Sequence, residues 1–138
     1  MSREKQEDRG SCLCGAVSFR VTGKPLWVGH CHCRSCQKAC AAAFASFAGY
    51  PRAKVDFPGL PPASYASSPG VVRQFCPRCG SPISYQGARW PAEIHLFVSN
   101  FDRPESFVPM FHVNVLERIP WVHLADDLPQ HDDSSDGS

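Results

Sequence analysis

Hydrophobic and polar positions alternate in short runs along this chain, and no long helical period interrupts them. Val17, Phe19 and Val21 alternate with Ser18, Arg20 and Thr22, the two-residue period of a half-buried strand. Residues 26–30 form a second short strand after the Gly23-Lys24-Pro25 turn. Residues 44–50 and 53–57 read as strands on either side of Pro51, and 71–75 as a strand running straight into Cys76. Residues 94–98 are the clearest apolar strand, Phe111, Val113 and Val115 alternate again, and 121–124 are a last apolar piece. Residues 34–43, with Gln37, Lys38 and a run of alanines, allow one or two helical turns. The predicted class is mainly β with short helical turns.

Length and composition narrow this picture. A chain of 138 residues, 43% hydrophobic, implies one domain with a real core. Thirteen prolines and ten glycines fit many turns. Residues 1–9 read as a flexible charged lead-in, 10–129 as the domain, and 130–138 as a disordered tail within an acidic run starting at Asp126. A formal charge of +1 gives no electrostatic case for a nucleic-acid partner. No apolar run approaches the ~18 residues of a membrane span, and the charged N-terminus lacks the apolar stretch of a signal peptide. The expected location is therefore cytoplasmic and reducing, where eight cysteines serve better as metal ligands than as disulfides.

The cysteine spacings carry the chemistry. In Cys76-Pro77-Arg78-Cys79-Gly80, two thiols two residues apart can face one ion, and the glycine suits a positive-φ turn. Cys12-Leu13-Cys14-Gly15 is one residue shorter, and alternation along an extended segment puts both thiols on one face. Two plus two gives a closed, structural zinc site of four cysteines; the plainer alternative leaves Cys12 and Cys14 as buried thiols. Between the pairs lies His30-Cys31-His32-Cys33-Arg34-Ser35-Cys36. Cys31, Cys33 and Cys36 can hold a second zinc with one position open, as in catalytic sites. A zinc held by three thiolates is a weak Lewis acid suited to an incoming thiol. Cys40 either closes that site as a fourth ligand or is a buried thiol. His30 and His32 either bind the metal or flank it.

These stretches resemble the glutathione-dependent formaldehyde-activating enzyme family, also called the centromere protein V/GFA domain family. The matching segments are 10–17, 30–36, 67–70 and 73–81, then Asp102-Arg103-Pro104-Glu105 with Pro109 and His112, and finally Trp121 and Asp126-Asp127-Leu128-Pro129. The resemblance implies an Mss4-like β fold built around two zinc ions. It places Cys12, Cys14, Cys76 and Cys79 on the structural zinc and Cys31, Cys33 and Cys36 on the catalytic one. It implies carbon–sulfur lyase activity on a thiol–aldehyde adduct such as S-hydroxymethylglutathione, with a small glutathione-like thiol and a small aldehyde as partners. Two departures stand out: Ser99-Asn100-Phe101 occupies the place of a glycine-rich turn, and Cys40 is an extra thiol.

Other residues carry two readings each. Arg73 pairs with a substrate carboxylate or braces the Cys76 turn. Arg34 offsets thiolate charge or lies exposed. His112 and His32 act near the site or only structurally, and Trp27, Trp90 and Trp121 form core or pocket walls. The alternatives to an enzyme are a binding module with two structural zincs and a thiol redox protein using Cys36/Cys40 or Cys76/Cys79.

Overall fold

A computed structural model describes residues 6–134. Ten strands, β1 (Glu7–Ser11), β2 (Ser18–Thr22), β3 (Trp27–Cys31), β4 (Ala45–Pro51), β5 (Val55–Asp56), β6 (Ala63–Ser68), β7 (Val71–Phe75), β8 (Pro82–Gly87), β9 (Glu93–Phe97) and β10 (His112–Val113), surround one helix, α1 (Arg34–Cys40). They form a three-stranded sheet in the order β1-β2-β5 and a seven-stranded sheet in the order β10-β3-β4-β9-β8-β7-β6. All pairs are antiparallel except β3 with β10. The fold is mainly β with short helical turns, as the alternating pattern predicts.

The two-residue period of β4 and β9 sorts their side chains between two cores. Ala48, Tyr50, Ile94 and Leu96 pack with Phe19 and Val21 of the small sheet. Ala45, Phe47 and Phe97 face the other way and pack with Cys36 of α1. β4 is therefore apolar on both faces, as an interior strand covered on both sides must be. The Cys31–Cys36 turn lies on the α1 side, and the core shared with the small sheet lies on the other.

Several expectations shift. Glu7, Asp8 and Arg9 belong to β1 instead of a loose lead-in, because their backbone pairs with Thr22, Val21 and Arg20. Of 53–57 only Val55–Asp56 is strand, since Arg52–Lys54 forms a 3-10 turn. β10 stops at Val113, because Asn114 takes a left-handed conformation with φ 58°. The acidic run is ordered where it is described. His112 N–H donates to Pro129 O (2.8 Å) and His131 N–H to His112 O (2.9 Å), so the chain returns as an extended partner beside β10. Residues 1–5 and 135–138, on which the expected flexible lead-in and disordered tail partly fall, lie outside the described residues. Residues 121–124 form no strand, and Trp121 is 69% exposed, so it is not core. No helix among the described residues is long and apolar enough to cross a membrane.

Candidate metal centres

The first centre joins the end of β1 to the end of β7. Cys12 directly follows β1 and Cys76 directly follows β7, and the Sγ atoms of Cys12, Cys14, Cys76 and Cys79 all lie within 4.8 Å of one another. Backbone N–H groups point at the sulfurs: Val17 at Cys12 (3.4 Å), and Arg78 and Cys79 at Cys76 (3.3 and 3.4 Å). Gly15 and Gly80 sit at φ 83° and 79°, turning the chain after each pair in a conformation that L side chains rarely adopt. Leu13 N–H donates to Ser81 Oγ (3.0 Å), which also contacts Cys79 Sγ (3.2 Å) and helps hold that thiol down to about 5. Val17 and Ile83, both fully buried, pack against Cys12 and Cys76.

The second centre is a tight turn between β3 and α1. Cys31 ends β3, Cys33 is the N-cap of α1, and Cys36 is buried in its first turn. The Cys33 sulfur accepts the Cys36 N–H (3.2 Å), doing what a capping oxygen usually does. The three Sγ atoms lie within 4.8 Å of one another, and Cys40 does not join them. Cys40 ends α1 and packs beside Phe47 and Phe97, where burial pushes its thiol up. Asn114 Nδ2–H donates to Cys31 Sγ (3.2 Å), and both Arg73 terminal nitrogens stand 3.8 Å from Cys36 Sγ.

Crowding forces the three thiols apart in proton affinity. Hydrogen bonds from Cys31 and Cys36 hold Cys33 far below its ordinary value, while the contact with Cys33 pushes Cys31 up to about 11. Its contacts with Cys31 and Cys33 push Cys36 up as well. Three thiolates this close repel, so a cation is what allows all three to ionise together. Both clusters have the donor number, softness and spacing of sites that hold a metal ion.

The second centre opens on a cavity of about 250 Å³; the first does not line it. Trp27, Phe47, Tyr85, Trp90 and Phe111 supply aromatic walls. Arg73 lies over the Tyr85 ring and Arg89 over the Trp90 ring, each at 5.1 Å. Trp27 can cross β4 because Gly49 has no side chain, and a Cβ there would sit 2.4 Å from the indole.

Behind the turn runs a buried chain of imidazoles. His112 Nε2–H donates to Asp126 Oδ2 (2.9 Å), which leaves His112 Nδ1 to accept from His32 Nε2–H (2.8 Å). His30 stacks near His112 at 4.7 Å and bonds Ser46 Oγ through Nδ1 (2.8 Å). This network ties β3, β10 and the returning chain to the turn that carries the thiols. Burial and the neighbouring His112 push His32 down to about 4 from an ordinary 6.5. The unfolded chain binds a proton in that interval that the folded chain refuses. Stability should therefore fall as pH drops from 6.5 toward 4. Urea unfolding of wild type and His32→Asn across that range checks this: the variant's slope should be shallower, since thiol protonation is common to both.

Residues 7–116 match the family model for glutathione-dependent formaldehyde-activating enzyme. The chain belongs to this family. It is 32% identical over 130 residues to a Halomonas elongata protein named "Putative glutathione-dependent formaldehyde-activating enzyme", covering 83% of this chain and 79% of that one. A crystal structure of a Rhodobacter sphaeroides protein shares the fold at TM-score 0.58 and 19% identity, covering 88% of this chain and 98% of that one.

Within this family member, the seven cysteines singled out by spacing fall into two clusters grouped as the spacing implies. Arg73 reaches Cys36 instead of bracing the Cys76 turn. Arg34 is exposed; its backbone N–H meets Glu117 and its guanidinium bonds Gln37. His32 and His112 are buried behind the turn, and Trp27 and Trp90 line the cavity. Sequence reasoning missed Asn114, Asp126, Arg89, Glu93 and His95. Asp126 stood in a matching segment without a role, and Glu93 and His95 left a sign as a carboxylate and an imidazole two residues apart at an apolar strand.

Proposed function

We propose that this protein forms or splits a carbon–sulfur bond between a small glutathione-like thiol and a small aldehyde, as a zinc-dependent lyase in the cytoplasm. In this reading Cys12, Cys14, Cys76 and Cys79 hold a structural zinc, and Cys31, Cys33 and Cys36 hold a catalytic one. The observation that carries it is an asymmetry: four sulfurs close the first cluster, whereas three sulfurs line a cavity in the second. When bound there, zinc supplies an open, thiolate-rich position that favours sulfur and lowers the pKa of a thiol.

The protein's own groups do the rest. Arg73, beside Cys36 and over Tyr85, offsets the thiolate charge and can bind a carboxylate of the thiol substrate. Aromatic walls keep the cavity apolar, so sulfur competes well against water. In the forming direction a thiolate sulfur attacks the carbonyl carbon and the oxygen gains a proton. Cleavage reverses both events.

Exchange NMR with 13C-formaldehyde and a panel of thiols tests this. The metal-loaded protein should speed exchange between free aldehyde and S-hydroxymethyl adduct for at least one acidic thiol. A protein that carries both metals and speeds exchange with none of them is a binding module.

A further inference from the structure

The reaction just proposed needs a group to carry the hydroxyl proton of the adduct. We propose that His95, its ring held by Glu93, takes that proton when the adduct is cleaved and returns it when the adduct forms. The assignment rests on the reaction above.

Strand geometry puts His95 at the cavity, with Glu93 beside it on the same face of β9. The alternation of β9 sends Ile94 and Leu96 into the core between the sheets and leaves Glu93, His95 and Phe97 on the opposite face. His95 is 5% exposed and lines the same cavity as Cys31, Cys33 and Cys36. Its Nε2–H donates to Glu93 Oε1 at 3.0 Å, and the same carboxylate oxygen accepts the Trp27 indole N–H at 3.3 Å. Two donors fix the carboxylate, and the carboxylate fixes the tautomer. Among the described residues no group hydrogen-bonds Nδ1, which keeps its lone pair.

The ring is clamped as well as tethered. Tyr85 stacks on it at 5.3 Å and 24°, and Trp27 meets it edge-on at 4.6 Å. Trp90 and Phe47 close the remaining sides at 5.3 and 6.2 Å. The titratable groups against it are Glu93 on its own strand and Tyr85 on β8, with Arg73 of β7 over the Tyr85 ring and Arg89 over the Trp90 ring; Trp27 on β3, Phe47 on β4 and Trp90 carry no charge. Burial lowers the imidazole pKa by more than Glu93 raises it, so the ring is neutral at neutral pH and can accept a proton.

The proton and electron count closes without a redox partner. In cleavage Nδ1 takes the O–H proton, the O–H electron pair becomes the second carbonyl bond, and the C–S pair leaves with sulfur as thiolate. The imidazolium so formed has the Glu93 carboxylate at its other nitrogen. Bond formation runs the same steps backward, with the proton going to the carbonyl oxygen.

Two measurements test this on the metal-loaded full chain. The first is imidazole 15N NMR with the stable S-(2-hydroxyethyl) thioether of glutathione, which carries a hydroxyl near sulfur but cannot be cleaved. The His95 Nδ1 resonance should move when the thioether binds; binding with no movement overturns the assignment. The second is adduct exchange. His95→Gln should slow it roughly hundredfold while metal content and thioether affinity hold. Glu93→Gln should move the acid limb of the pH–rate profile to lower pH, because it removes the carboxylate that supports imidazolium. A His95→Gln protein that exchanges at the wild-type rate overturns the assignment and leaves the reaction standing. Wild type that exchanges no thiol removes the reaction and the His95 role together. If His95→Gln fails to fold, the NMR result on wild type decides.

Discussion

Cys76→Ser should leave a chain that no longer unfolds cooperatively, and chelation of the wild-type protein should give the same result. Cys76 is 1% exposed and receives two backbone N–H groups at its sulfur. Its partner Cys14 lies 62 residues earlier in the chain, so the cluster closes a long loop. Structural zinc contributes about 10–16 kcal/mol of folding free energy in small domains. The whole stability of a domain is only about 5–15 kcal/mol. Losing one of four sulfurs from this site thus threatens the entire margin, where the same change at a cysteine outside both clusters would cost little. Circular dichroism during urea titration and metal analysis check this together. Wild type should show one sharp transition and two metals per chain. A Cys76→Ser protein with the wild-type midpoint would show that this cluster does not hold the fold together.

The first cluster is legible from spacing because chelation by near neighbours is local. A C-x-x-C turn presents two sulfurs to one point whatever the rest of the chain does, and Gly15 and Gly80 have the positive φ such turns require. Strand identity was legible where apolar positions alternate or run together, as in β2 and β9, but β8 was not read as a strand although Ile83 and Ser84 are buried. It failed where pairing depends on backbone alone. β1 is polar and is fixed by its ladder to β2, and the segment after Asp126 is fixed by hydrogen bonds on either side of His112. Long-range partnerships were hidden for a different reason. Nothing in Asn114 announces that its amide will meet Cys31, and nothing in Arg73 that it will reach Cys36, until the sheet order brings β10 beside β3 and sets Arg73 of β7 within reach of α1. His95 and Glu93 fall between these cases: their shared face was readable, but the cavity it lines was not.

Cys36→Ser should separate chemistry from folding. The second cluster lies on the far side of the large sheet from the small one, and the core of Phe19, Tyr50 and Leu96 does not depend on it. The variant should therefore lose one of two metals and all measurable adduct exchange, yet keep a cooperative unfolding transition. Its stability should fall by only ~1–3 kcal/mol, the range for most single substitutions. Cys40→Ser is the control that gives this meaning. Cys40 packs near the same side chains but stands outside the sulfur cluster. Its serine variant should retain both metals and exchange at close to the wild-type rate. Should Cys40→Ser release the same metal as Cys36→Ser, the second site is closed by four sulfurs and no position is left for a thiol substrate. Metal analysis of the two variants side by side thus tests the open position directly, before any substrate is chosen.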